Sequence, residues 1–585
     1  MRTLLAIVTG LFVAAAFADT PASSVTGLWG IHETFGPQVK GLLVIDARLP
    51  HWQARIAGFA VPVQHTGHTL QFTLPEGLAS FRGALTDKSG EITGQWIQAP
   101  DVILSGEYAT PVILHETEKD VWQGKVQPLP DSITLYLQVN RAEDGSLTGY
   151  FRNPDFNFGH DNPYAISVQD DELTLTGAHN KHDVFHATHQ SGSNVLQLQI
   201  PMIGRTLNLT QRDRDSAAGF YPATPASTTY TYRVPVRTSD GWATGSLVGA
   251  GLDPKPLNAL VEHILNTQYH GFSTPYIHSL LIARHGKLVL EQYFYGHDRE
   301  QTHDMRSAGK TFAGMLVGLA LQHGALFKLD TPVYSLFPQY KSIANLDASK
   351  KAMTVKDLLT MTSGLACNDD DENSPGNEDT MQGQHAQQDW YKYTLDLPMQ
   401  RAPGGSQAVY CSAGINLLGG VVRDTIDMPL PEFFYQYFAG PLDISTYHIN
   451  LMPTGEAYMG GGMRMRPRDQ LKLGQLYLDH GKWHGKQVIA ASWVRQSLQA
   501  YSAFAPDHHY GFAWHLIDLK SGDKTYRVEE AGGNGGQFVL IIPELDVVVG
   551  FTAGNYGDFK TWYPFMTELV PQYIIPAARQ QERKP

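Results

Sequence analysis

Asp304-Met305-Arg306-Ser307-Ala308-Gly309-Lys310-Thr311, continued by the apolar run Phe312 to Leu321, is the stretch that decides the fold. From Ala313 to Gln322 nearly every position is apolar, and His323-Gly324 stops the run, which predicts a buried helix. Ser307 and Lys310 stand three positions apart, so a helix starting near Ser307 brings the amine beside the hydroxyl. A serine becomes a useful nucleophile when a neighbouring base takes its proton. A lysine desolvated at the start of a buried helix can be that base. The helix start also offers backbone N–H groups to a developing oxyanion. Ser-x-x-Lys alone is a short motif that also arises by chance as a surface pair. The phosphate-loop reading of Gly309-Lys310-Thr311 fails, because the glycine it needs is replaced by Asp304.

Outward from this helix the chain divides in two. Val25 to about Arg212 is strand after strand, with period-2 runs such as Thr69 to Leu74, Ser132 to Val139 and Val195 to Ile200 between Gly, Asp, Asn and Pro turns. Gly27-Leu28-Trp29-Gly30 and Val121-Trp122-Gln123-Gly124 open two similar halves, so two small β-domains are expected, 19–115 and 116–212. Residues 213–232, rich in Ser, Thr, Ala and Pro, read as a linker. From 233 to 585 the pattern is mixed. It has a helix near Pro256 to Asn266, a hairpin from Ile277 to Phe294, the Ser307 helix, and further helices at Thr354 to Met361, Pro467 to Tyr477 and Ala490 to Leu498. Strands at Gln537 to Ile542 and Val547 to Thr552 and a last helix from about Lys560 follow. Strands at both ends with helices between predict one antiparallel sheet covered by helices, with a helical subdomain, an α+β domain.

With 585 residues, several domains are expected, and the 42% hydrophobic, 17% charged composition is globular. A formal net charge of −13 argues against nucleic acid and anionic membrane surfaces as partners. Residues 1–18 read as a cleavable signal peptide, with Arg2, an apolar stretch from Leu4 to Phe17 and the Ala16-Phe17-Ala18 cleavage pattern. Export to the periplasm or outside the cell is therefore expected, with no span left in the mature chain. In such a compartment Cys367 and Cys411 either form a bridge, worth about 4 kcal/mol by loop entropy, or remain buried thiols; the bridge is the expectation. His179, His182, His186 and His189 lie in a strand region without ligand spacing and are expected to be surface residues. The acidic loop Asp369-Asp370-Asp371-Glu372 has no calcium-loop spacing and reads as solvated, though its length places it near an active site. No metal or other cofactor is expected.

Three further segments give the Ser307 motif its context: Asp357 to Leu365, Tyr410-Cys411-Ser412-Ala413-Gly414 and Gly533-Asn534-Gly535-Gly536-Gln537. In this order, over about 235–572, they resemble the class C β-lactamase and penicillin-recognising serine hydrolase family. The Tyr-Cys-Ser run, the Gly-Asn-Gly-Gly-Gln run and Ser374 to Asp379 resemble its branch of 6-aminohexanoate-dimer hydrolase and related esterases. The resemblance implies a β-lactamase-like domain in which Ser307 attacks a carbonyl. Tyr410 serves as phenolate or proton shuttle, its pKa brought well below about 10 by a cationic Lys310. The backbone N–H groups of Ser307 and Gln537 form the oxyanion hole. Ser412, Asn534, Gly535 and Gly536 contact the substrate. Ser412 stands where the family has Asn and Asn534 where it has a cation, which shifts the expected substrate from β-lactams to a small ester or linear amide. A β-lactamase or D-Ala-D-Ala-type peptidase is the alternative. A non-catalytic protein that binds through its β-repeats is the alternative from another class.

Overall fold

The computed structural model describes residues 25–36, 38–48, 50–86, 90–98, 102, 106–154, 163–223, 229–268, 271–383, 388–426 and 428–579. The expected signal peptide lies outside them.

The N-terminal region is all β, but it does not fold as two consecutive domains. The first strand, Gly27–Gly36, leaves its neighbours and joins the strands from Asp131–Arg141 to Arg205–Arg212 in a closed eight-stranded barrel. It pairs with the last of these, Leu28 opposite Arg212 and Gly30 opposite Thr210. Closure removes both free edges. Alternation fills the interior: Leu196, Leu198 and Ile200 point in, and Gln197 and Gln199 point out. His179, His182 and His186 are exposed, as expected. His189 is not: it is buried, its ring edge-on to Trp29 at 5.2 Å and its Nε2 3.0 Å from the Ser193 carbonyl.

The strands between 41 and 126 form an antiparallel sheet that continues into three short strands of the C-terminal region. The expected boundary at 115/116 falls inside its strand Tyr108–Glu118 and is therefore wrong. Turn spacing alone does not reveal that the opening strand belongs to the other body. This sheet shares one compact unit with everything after Ala217. Tyr108–Glu118 pairs with the short strand Tyr447–Asn450, which in turn pairs with Met463–Met465. The described parts of the stretch expected to be a linker are also packed: Ala217 and Phe220 are buried, and the Tyr232 hydroxyl donates to the Val289 carbonyl at 2.9 Å.

The α+β expectation holds. Ile277–Arg284 and Lys287–Tyr293 from one end of the region and four strands between His515 and Ala553 from the other are the centre of a nine-stranded, mainly antiparallel sheet. Gln537–Ile542 is buried throughout, and apolar from Phe538 on, because both its faces are covered. Val539 and Ile541 enter the core shared with the Lys310–Gln322 helix. Phe538, Leu540 and Ile542 enter the core under Pro254–Leu265 and the C-terminal helices. Lys310–Gln322 is buried from Lys310 to Ala320. Gly318 is required there, since a methyl group at that position would sit 2.4 Å from the Trp493 ring. No helix among the described residues is long and apolar enough to cross a membrane.

Candidate active site

Strand His303–Asp304 delivers the chain to Ser307 through a tight turn. Arg306 holds the left-handed region at φ 49°, a conformation costly for a side chain with a Cβ. Asp304 pins it by accepting from the Arg306 N–H at 2.8 Å. One 3-10 turn, Arg306–Gly309, then leads into Lys310–Gln322. The expected stacking follows: Lys310 Nζ and Ser307 Oγ are hydrogen-bonded at 2.8 Å. Ser307 is half-buried, whereas Lys310 is 2% exposed. Tyr410 comes from the far side. Its ring lies 4.9 Å from the Lys310 amine. The fold thus gathers an alcohol, an amine and a phenol into one cluster.

The charge states differ from the sequence expectation. Burial depresses Lys310, against the opposing pull of Glu378 and Asp369. Burial pushes the Tyr410 phenol upward, and Asp369, Glu378 and Glu530 add to that push, while Ser307 opposes it. Burial and these three carboxylates thus raise the phenol that the resemblance expected to be lowered. A desolvated amine is the better proton acceptor in this cluster.

The acidic surroundings come from the 367–388 loop, bonded to the Tyr410 segment by the Cys367–Cys411 disulfide, Cα–Cα 5.4 Å. Asp369 accepts from the Ser412 N–H at 2.7 Å and from its hydroxyl at 2.6 Å. The same hydroxyl reaches Glu378 at 3.1 Å, and the Tyr458 hydroxyl also donates to Glu378. Ser412 is fully buried and is not a substrate contact, which corrects its expected role; it holds two carboxylates beside the amine. Asp369 had read as part of a solvated loop. Glu378 was missed altogether. The signal for it was Asn377, whose side chain accepts from the Asp379 and Thr380 N–H groups and starts a helix with Glu378 facing inward.

The third motif is displaced. The strand against the nucleophile is Lys524–Gly533: a methyl group on Gly533 would lie 2.3 Å from the Met305 carbonyl oxygen and 3.0 Å from Ala308 N. Gln537 begins the next strand, and its side chain is spent on Ala553, donating to the carbonyl at 2.5 Å and accepting from the N–H at 3.3 Å. Gly535 and Gly536, at φ 90° and 95°, make the hairpin turn under Tyr556 and Phe565, where added methyl groups would strike the rings at 2.5 and 2.9 Å. They serve the turn rather than a substrate. Asn534 lines the cavity and accepts from the Gly557 N–H at 2.9 Å. The residue missed on this strand is Glu530, 5% exposed, pushed up to about 8 by burial, its carboxyl curled over Gly532.

In front of Ser307 opens a cavity of about 340 Å³, walled by Arg306, Arg464, Asp369, Glu378, Asn534 and Tyr108. Among the described residues, those that could gather around a metal ion are His278, His297 and His303, with ligand atoms within 4.8 Å of one another. His278 Nδ1 and His303 Nε2 are hydrogen-bonded at 2.8 Å, and the His278 and His297 rings stack at 3.9 Å.

Residues 259–566 match the family model Beta-lactamase. A curated relative, 6-aminohexanoate-dimer hydrolase of Paenarthrobacter ureafaciens, is 23% identical over 315 residues, covering 50% of this chain and 76% of the relative. Similar solved structures include EstCE1, a hydrolase with promiscuous acyltransferase activity, at 18% identity and TM-score 0.43, over 56% of this chain and 98% of that one. Another is simvastatin synthase (LovD) from Aspergillus terreus, at 16% identity and TM-score 0.42, over 57% and 98%.

Proposed function

The chain belongs to the Beta-lactamase family and is a serine hydrolase, and from that membership we propose that it cleaves a small ester or linear amide through an acyl-enzyme on Ser307. The supporting observation is that Ser307, which lines the cavity, is hydrogen-bonded to Lys310, with the Tyr410 ring 4.9 Å from that amine.

Lys310, its charged form disfavoured by burial, takes the Ser307 proton as Oγ attacks the substrate carbonyl. The oxyanion is met by the Ser307 N–H and by backbone at the end of Lys524–Gly533. Tyr410, a phenol, donates its proton to the leaving group and regains one from Lys310. A water molecule then attacks the acyl carbonyl, and the same groups act in reverse. The cavity is lined by Asp304, Asp369, Glu378 and Asp379 against Arg306 and Arg464, an excess of carboxylates that disfavours a substrate carboxylate and favours neutral esters and amides over β-lactams. The name of the curated relative, a hydrolase of an aminohexanoate dimer, points the same way. Export belongs to the same proposal: the disulfide fits an oxidising compartment.

Hydrolysis of p-nitrophenyl butyrate and of nitrocefin by wild type and Ser307→Ala tests this reading. Ester turnover is expected to exceed nitrocefin turnover and to fall by at least about 10³ in the variant. Equal ester rates in both proteins would remove the mechanism, and faster nitrocefin turnover would make the enzyme a β-lactamase.

A further inference from the structure

One wall of the cavity does not come from the catalytic region. Tyr108 opens the strand Tyr108–Glu118 of the N-terminal sheet, far outside the family match. It is carried to the cavity by main-chain pairing: Tyr108 stands opposite Asn450, Ala109 opposite Ile449, and the Leu451 N–H donates to the Glu107 carbonyl at 2.8 Å. The attachment is firm. Ala109 is fully buried within the core that also holds the nucleophile helix. Thr110 Oγ1 and His448 Nδ1, both buried, are hydrogen-bonded at 2.9 Å. Arg82 grips Glu432 with two N–H groups at 2.5 and 3.2 Å.

At the cavity Tyr108 stands beside Asn450, its partner across the strand pair, and both line the wall with Arg464. Burial pushes this phenol up, so it remains a donor. Arg464 is 8% exposed, and its Nε has no hydrogen-bond partner among the described residues. Its charge is opposed by Asp304, 3.9 Å from its guanidinium. Asp304 also pairs with Arg306 at 3.3 Å, and Asp369, Glu378 and Asp379 line the same cavity, so the donors of Tyr108 and Arg464 face the space of Ser307 without an excess of positive charge.

Resting on the hydrolase reading, we propose that Tyr108, with Asn450 and Arg464, forms a polar subsite that binds a neutral acceptor, an amide carbonyl, on the substrate beyond the scissile bond. The N-terminal sheet then takes part in substrate selection, and Tyr108 is a specificity-determining residue.

The test compares p-nitrophenyl acetate with the p-nitrophenyl ester of N-acetylglycine, whose acyl chain carries such a carbonyl, on the full chain of wild type and Tyr108→Phe. Wild type is expected to prefer the acetylglycyl ester. In Tyr108→Phe its KM rises about tenfold, the scale of one hydrogen bond lost from a buried site, with kcat nearly unchanged. Acetate hydrolysis and the melting temperature stay as they are. Fluorophosphonate labelling of Ser307, mapped by mass spectrometry, accompanies each protein. If Ser307 labels in both proteins and the preference is the same, the subsite is refuted while the hydrolase reading stands. An equal loss on both esters also refutes it, since the tyrosine would then serve the site's structure and not selection. If Ser307 fails to label in wild type, the hydrolase reading falls and this inference with it.

Discussion

Glu530 stands directly opposite His515 in the pairing of strands Lys524–Gly533 and His515–Ser521, and both act on Tyr410. The His515 ring stacks on the tyrosine at 6.2 Å, and the Glu530 charge raises its phenol. Burial holds His515 well below the usual histidine range, so it is neutral where Glu530 titrates. Glu530 has no ion-pair partner among the described residues, and burial alone lifts it to about 8.

That lift has a sign for stability. The unfolded chain loses this proton near pH 4.5 and the folded chain near pH 8. The folded state therefore binds more protons in between, and stability falls as pH rises through this window. Glu529, raised to about 7, adds to the same trend. Glu530→Gln is expected to flatten it and to melt at least about 3 °C above wild type at pH 8, with little difference at pH 4.5. Melting curves across pH check this; parallel curves would show that Glu530 is solvated.

The amine as base gives a kinetic prediction. Activity should rise with pH through an apparent pKa below that of a free lysine, because burial depresses Lys310. Asp369 pulls the other way. Asp369→Asn should therefore shift the acidic limb of the kcat/KM profile to lower pH. Lys310→Met should lose about 10³ or more in kcat at every pH. A limb that does not move in Asp369→Asn would mean that another group is the base.

Ser412→Ala removes a fully buried hydroxyl that serves both Asp369 and Glu378. The loss of stability should be about 1–3 kcal/mol, the usual cost of stranding a buried partner. KM for a small ester should stay near the wild-type value, since the hydroxyl does not reach the cavity, whereas kcat should drop. Urea unfolding with steady-state kinetics separates the two effects.

Replacing Cys367 and Cys411 together by serine should cost about 4 kcal/mol if loop entropy dominates. It should also weaken catalysis, because Tyr410 immediately precedes the bridge. Titration with dithiothreitol, following melting temperature and ester hydrolysis together, would show both losses in one experiment.

The nucleophile turn was legible in the sequence because Ser307 and Lys310 are local: one helical turn sets their distance. The sheet was legible because runs such as Gln537 to Ile542 admit only a strand buried on both faces. Tyr410 could be placed only through resemblance, since nothing local ties it to Lys310. The third motif was misplaced because its glycines drew attention to the hairpin turn, while the residues against Ser307 lie just before it. Glu530 and Glu378 were invisible for a different reason: a carboxylate looks the same in a sequence whether the fold buries it or not. The strand exchange in the N-terminal half was hidden because alternation says which face is buried but not which strand is the neighbour.

The closed barrel bears on how the chain is made. Its opening strand, Gly27–Gly36, emerges from the ribosome first, but Arg205–Arg212, the strand it zips onto, is translated only after the whole intervening sheet. At the usual pace of about 5–20 residues per second, it waits about 10 to 35 seconds with an open hydrogen-bonding edge. During that interval nascent chains are exposed to mispairing with one another, and a chaperone that shields this first ribbon would decide how much protein reaches the native state.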